Sequence, residues 1–391
     1  MENKEETNEQ YYPLCPPQPF EHHTPPSSSR NYSAADYDRP SSPPKPSFKP
    51  SRELEESIKN QTDVTLRFTK QLLLTFGKNN NMVYSPLSIH VVLSMIVAGT
   101  KGHTQEKLLR FLKSKSIDEL NDLASNVVPL VFADGSSSGG PRLSFANGPE
   151  EVRCEVNSCA VKETNGCIKE IIPEGLVTSY TELILANALY FKGAWDQDFN
   201  APKAQWKNFH LLNGSSIRAP FMTSLKDQYI SAFDGFKVLK LPYKQGGDYD
   251  RRFSMLVFSS ESGFIDGYIP HREVSVGRFF IPKFKISARF DAVDVLKPLG
   301  LSLKDGDFTE MVEDMNLRLD KILHKSFIEV NEEGTEAAAV TAALFYGRAM
   351  APRIKMDFVA DHPFLFRIRE ELTRTVMFIG HVLNPIAYEA I

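Results

Sequence analysis

Nine consecutive residues, 335–343, read Thr-Glu-Ala-Ala-Ala-Val-Thr-Ala-Ala: nearly all small, with Glu336 the only charge and neither Gly nor Pro among them. They stand between stretches that read as strands. Before them, Ile322, His324, Ser326, Ile328 and Val330 alternate with Lys325 and Glu329, the period-two pattern of a half-buried strand. Connecting loops are normally polar and rich in turn residues, and this one is neither. Three readings fit it. The alanines favour a short helix, an exposed linker is equally compatible, and a third state is a strand. As a strand, one face carries Thr335, Ala337, Ala339, Thr341 and Ala343, and the other Glu336, Ala338, Val340 and Ala342. The first face is small enough to enter a packed sheet without overfilling it.

Bulk properties narrow the class. The 391 residues are 42% hydrophobic, enough for one large core or two ordinary ones. A net charge of -4 gives no basic footprint for nucleic acid or anionic membrane. No apolar run reaches the length of a membrane span, and the N-terminus, Met1-Glu-Asn-Lys-Glu-Glu6, lacks the pattern of a secretory signal. Cys15, Cys154, Cys159 and Cys167 form neither a disulfide framework nor a zinc-type CxxC pair. The expected compartment is reducing, cytosol or nucleus, and the sequons at Asn31, Asn60 and Asn213 are then chance matches.

Residues 1–50 hold 11 of the 25 prolines together with serine clusters, a composition too poor in apolar side chains to offset chain entropy. Residues 1–52 are therefore expected to be a disordered extension and 53–391 the folded domain. Within the extension, Pro43-Pro44-Lys45-Pro46 has the form of a polyproline ligand and Ser42-Pro43 that of a kinase site; a passive tail is the simpler alternative. Beyond it, Val64, Phe68 and Leu72 give a helix that Thr62 is placed to cap. Ser85 and Pro86 open a second helix as N-cap and first-turn proline, and a third is expected over 116–131. Leu183–Phe191 is apolar enough for a strand buried on both faces. Phe280–Phe290 alternates as one strand, and 376–383 reads as another. Helices fill the N-terminal half and strands the C-terminal half, which makes the class α+β, with helices segregated from large sheets.

No GxSxG elbow, HExxH motif or phosphate-binding glycine loop is present, so no enzyme activity, metal or cofactor is expected. Four stretches instead resemble the serpin family, most closely its plant members. They are Glu332-Glu-Gly-Thr-Glu-Ala-Ala-Ala339, Phe358-Val-Ala-Asp-His-Pro-Phe364, Asn187-Ala-Leu-Tyr-Phe-Lys-Gly-Ala-Trp195 and Tyr84-Ser-Pro-Leu-Ser-Ile89. The resemblance runs from about Glu53 to Pro385. It implies a serpin fold of three β-sheets, with a large central sheet A and an exposed reactive-centre loop over about 332–356.

It also implies roles. Glu332, Glu333, Gly334, Thr335, Glu336, Ala337, Ala338 and Ala339 correspond to the hinge, and Arg348-Ala349 to the bond a target protease cleaves. Ser85, Ser88, Asn187 and His324 correspond to a polar cluster beneath the strands that part to admit the loop, and Trp195 to the tryptophan at the top of that opening. Individually satisfied core polar groups are the alternative for the first four, a plain core tryptophan explains Trp195 equally well, and an ordinary solvated side chain would explain Arg348, with Arg353 a second candidate. The implied partner is a trypsin-like serine protease or an Arg-specific cysteine protease of the papain or metacaspase type, acting on a monomer. Seventeen residues from Glu332 at about 3.3 Å each span roughly 55 Å, against a diameter of about 50 Å for a domain of roughly 340 residues. The reach suffices to carry a protease from pole to pole.

The chain also departs from the family. After Leu143–Gly148 the rest of a main-sheet strand, a helix and an edge strand have no counterpart, and a shorter gap follows Phe258. An exposed sheet edge is the expected consequence. It leaves open a non-inhibitory serpin that acts as a binding protein.

Overall fold

In a computed structural model, residues 50–132, 142–149, 153–164, 166–178, 181, 183–199, 205–246, 251–259, 269–303, 308, 318–335, 355–387 and 389–390 are described. The extension expected over 1–52 thus lies almost wholly outside the described residues, and so do Glu336–Ala339, Arg348 and Ala349. The helices are α1 (Arg52–Leu72), α2 (Pro86–Ala98), α3 (Gly102–Leu112), α4 (Ile117–Phe132), α5 (Arg153–Glu163) and α6 (Ala292–Leu296). The strands are β1 (Met82–Tyr84), β2 (Arg142–Pro149), β3 (Leu183–Ala194), β4 (Gln205–His210), β5 (Ser216–Met222), β6 (Gln228–Phe233), β7 (Phe236–Pro242), β8 (Phe253–Phe258) and β9 (Glu273–Val274). They continue with β10 (Val276–Pro282), β11 (Phe284–Asp291), β12 (Leu319–Val330), β13 (Gly334–Thr335), β14 (Met356–Val359), β15 (Phe364–Glu370), β16 (Val376–Val382) and β17 (Glu389–Ala390). No described helix is long and apolar enough to cross a membrane.

Three sheets result, of seven, four and six strands. The seven-stranded sheet runs β1-β16-β15-β8-β7-β6-β9, and the four-stranded one β14-β10-β5-β4. In the six-stranded sheet β3 pairs with β12 and β12 with β11, while β2 lies on the other edge of β3. The expected 116–131 helix is α4, and α3 precedes it without having been foreseen. Two further expectations fail in detail. Ser51, not Thr62, caps α1, because the helix starts eleven residues earlier than the Val64–Phe68–Leu72 stripe reveals; Thr62 bonds back to Ile58 O instead. The alternation over 280–290 belongs to two strands. Pro282 has no N–H to continue a ladder, and Lys283 separates β10 of the four-stranded sheet from β11 of the six-stranded one.

The middle of the six-stranded sheet is its unusual part. β2–β3 and β11–β12 are antiparallel, but β3 and β12 run parallel, from Leu183 opposite Leu319 to Tyr190 opposite Phe327. Parallel pairing is slightly weaker per residue, and this is the long parallel seam of the sheet, β11 and β17 pairing in parallel over only two residues. Both faces of the seam are covered. Leu189, Phe191, Ile322 and Ile328 face the main core with α1 and α2, while Ala186, Tyr190, Leu323 and Phe327 pack against Ala160 of α5 and the Ile168–Ile172 segment. Asn157 of α5 fixes that segment, accepting from the Ile171 and Ile172 N–H groups and donating to Ile172 O.

Candidate functional site

The seam is closed at its middle by a buried polar cluster. Asn187 of β3 and His324 of β12 are direct partners across it. Both have no exposed surface, as do Ser85, Ser88 and Ser326. Ser85 caps α2 by accepting from Ser88 N–H, and its own N–H donates to His324 Nε2 at 3.2 Å. Ser326 Oγ lies 2.6 Å from the same nitrogen. A backbone N–H can only donate, so Nε2 is an acceptor and the imidazole proton sits on Nδ1, 2.6 Å from Asn187 Oδ1. Ser88 Oγ donates to that same oxygen. Every partner is used in one consistent scheme, and it requires neutral imidazole. Burial enforces this, holding the His324 pKa down to about 3. The sequence reading placed Ser85, Ser88, Asn187 and His324 together and left out Ser326. Its position two residues from His324 on the same strand face was the available signal.

The upper end of the seam is held differently. Asn331 N–H donates to Gly334 O at 2.9 Å, which folds β13 back from β12. On its other side β13 pairs antiparallel with β3, Gly334 opposite Ala194 and Thr335 opposite Gly193. The first two residues after the turn are thus already lodged between the ends of β3 and β12. The turn itself is fixed by Asn331 Oδ1, which accepts from Glu333 and Gly334 N–H, and by Trp195, whose Nε1–H donates to Asn331 O at 2.9 Å. Trp195 is 1% exposed and stacks on Tyr243 with centroids 4.6 Å apart. Glu332 is nearly buried, and both its oxygens reach Lys283 Nζ at 2.9 and 3.2 Å. Among the described residues, no group of three or more His, Cys, Asp and Glu side chains is placed to hold a metal ion.

Comparison with known proteins establishes the family that the four sequence stretches resemble. The family model described as serpin (serine protease inhibitor) matches residues 59–148 and 136–385. The chain is 45% identical to Serpin-ZX of Arabidopsis thaliana over 390 positions, covering 85% of this chain and all of that one. It is 44% identical to Serpin-ZXA of Oryza sativa subsp. japonica, over 85% of this chain and 98% of the relative. An Arabidopsis serpin solved in its native stressed conformation superposes with a TM-score of 0.77 at 44% identity, covering 86% of this chain and all of that one. The chain belongs to the serpin family, and its relatives are plant serpins. Of the two gaps read from the sequence, the one after Gly148 has a counterpart here, whereas Phe258 lies inside the second matched piece. The family match breaks into two pieces that meet at residues 136–148, and 85% of 391 residues, about 332, cannot fill an alignment of 390 positions.

Proposed function

We propose that this chain is a suicide-substrate inhibitor of Arg- or Lys-specific proteases, with residues 53–391 as the inhibitory domain and 1–52 as an extension. The protease nucleophile, a serine Oγ or a cysteine Sγ, attacks the Arg348 carbonyl. The Arg348–Ala349 bond breaks, the Ala349 amine leaves, and the protease remains as an acyl ester or thioester on Arg348. The freed segment then enters the seam between β3 and β12 before water can release it.

The observation that carries this reading is the wedge that Gly334 and Thr335 form at the upper end of the seam, and its register. Carried forward from Gly334–Ala194 and Thr335–Gly193, the pairing with β3 sets Thr341 opposite Asn187. The turn joining β12 to β13 sets Thr341 opposite His324, and Asn187 and His324 are already partners. Both edges agree on one register. Insertion therefore replaces the direct Asn187–His324 bond by a threonine hydroxyl between them, so the polar cluster re-pairs rather than being orphaned. Thr335, Ala337, Ala339, Thr341 and Ala343 join the main-core face, and Ala338 falls between Tyr190 and Phe327, whose rings lie 5.9 Å apart across the seam. The twelve residues of β12 accept Thr335–Tyr346, which delivers Arg348 just beyond the far end, about 40 Å from the wedge. Strand addition and release of stored strain supply the drive. Incubation with trypsin followed by denaturing electrophoresis tests the reading, and a stable covalent adduct is the expected result.

A second reading rests on the internal gaps. Among the described residues β2 pairs only with β3 and forms an edge of the sheet that must open. A non-inhibitory binding protein would be nicked at Arg348 without forming an adduct. On either reading the chain acts as a monomer in the cytosol or nucleus.

A further inference from the structure

β14, the first described strand after residue 354, borders a cleft of about 390 Å³ that takes no part in the seam. Phe233 and Phe236 line it from the β6–β7 turn and Phe358 from β14. Gly235 takes a φ of +82° there, which lets the turn close so that Phe233 and Phe236 stack with centroids 5.1 Å apart and planes 25° apart. The polar side of the cleft is built from Lys237, Arg278 and Asp357.

We propose that this cleft binds an aromatic monocarboxylate, its ring on the Phe233–Phe236 stack and its carboxylate on Arg278 and Lys237. Two cations and one anion line the cleft and Asp361 also acts on Arg278, so the open guanidinium edge rather than a net charge selects the carboxylate. Asp357 takes only part of the donor capacity. It accepts from Arg278 N–H at 2.7 Å and from Nε at 2.8 Å, and its backbone oxygen accepts from Lys237 Nζ at 2.7 Å. The two Nη nitrogens of Arg278 have no partner among the described residues, and the Arg278 side chain is 76% exposed. A guanidinium with both Nη groups open grips a carboxylate in two-pronged fashion. Gly277 leaves the room that Asp357 Oδ1 occupies in this pair, and a side chain at 277 would push that carboxylate aside. Its two members also reinforce each other's ionisation, Arg278 being held up and Asp357 down by their mutual hydrogen bonds. The volume lies at the small end for ligand pockets, and half-buried aromatic rings reward a flat partner.

The test uses the full chain and 1-naphthoate in equilibrium dialysis. Two comparison ligands separate the contributions: 1-naphthamide keeps the shape without the charge, and cyclohexanecarboxylate keeps the charge without the ring. Saturable one-to-one binding of 1-naphthoate is expected, with both comparison ligands weaker by about tenfold or more. Arg278→Lys retains the cation and Phe236→Leu retains apolar bulk, so both variants should melt close to the parent while binding 1-naphthoate several-fold more weakly. The proposal is overturned if the parent shows no saturable binding, if the amide binds as tightly as the carboxylate, or if parent-like folding of both variants is accompanied by unchanged affinity.

Discussion

Replacing Gly334 by alanine strikes the wedge at one atom. Gly334 has a φ of +149°, a conformation L side chains rarely adopt. A Cβ there would collide with Gly193 O and lie only 2.6 Å from Ala194 Cα. These are backbone atoms of β3, which is held by β2 and β12 and has no room to yield, so β13 must leave instead. The bond from Asn331 N–H to Gly334 O and the two-residue ladder with β3 are lost, about three hydrogen bonds at about 1 kcal/mol each. With an unfolding entropy of about 2.1 cal/mol/K per residue over roughly 340 residues, 3 kcal/mol lowers the melting temperature by about 4 °C. The kinetic effect is larger. The same two pairs must form before any later residue can enter the seam, and about 3 kcal/mol on that step slows insertion more than about 100-fold. Hydrolysis of the acyl-enzyme then wins the race. Titrating trypsin with Gly334→Ala should therefore give cleaved inhibitor and active protease, with far more inhibitor consumed per trypsin than for the parent. Adduct formation at the parent's stoichiometry would refute the wedge as the first step of insertion.

Thr335→Arg places a charge on the face that must enter the main core, where desolvation is prohibitive; cleavage at Arg348 should persist while the covalent adduct disappears on electrophoresis. Thr341→Val keeps the shape but removes the hydroxyl expected between Asn187 and His324. Calorimetry should show the clipped form losing about 1–2 kcal/mol while the intact form is unchanged. Acid should destabilise the intact protein through its buried histidines. His90 is 6% exposed, neither ring nitrogen has a hydrogen-bond partner among the described residues, and burial lowers its pKa to about 4. A folded pKa below the ordinary value near 6.5 means that the neutral form's stability is full above about pH 6.5 and is lost as pH falls toward 4. That loss is about 2 kcal/mol by pH 5 from His90 alone. Glu119, which shares the small cavity beside His90 and which burial alone would push up, is held below the ordinary carboxylate pKa by hydrogen bonds from the Lys115 N–H, Ser114 and Ser57. In thermal melts from pH 7 to 5, His90→Leu should flatten the dependence; a slope equal to the parent's would contradict this origin.

Much of the architecture was legible because local pattern and global role coincide. The apolar run over Leu183–Phe191 reads as a central strand since both its faces are in fact buried. Ser85 and Pro86 read as a helix start and are one. The true start of α1 was hidden because Ser57 and Gln61 occupy its buried stripe, and polar side chains carry no hydrophobic period. The split at Lys283 was hidden because alternation continues through Pro282 while the partner strands change. At the site, the family resemblance and no spacing or periodicity brought Ser85, Ser88, Asn187 and His324 into one cluster. The ion pair of Glu332 with Lys283 and the lodging of Gly334–Thr335 against Gly193–Ala194 join segments far apart in the chain, and no periodicity links them. His90 was likewise invisible, since a histidine on a helix gives no sign that it will lack partners.

Once the chain is cut, the segment beginning at Thr335 should become a strand of the six-stranded sheet. Occupying both edges of the seam along the twelve residues of β12 should add about ten hydrogen bonds net, or about 10 kcal/mol. That corresponds to a rise of about 14 °C in melting temperature for a domain of this size. Thermal unfolding of the protein before and after limited cleavage at Arg348 measures it directly. The clipped form should melt well above the intact one; a clipped form that melts at or below the intact temperature would contradict strand insertion.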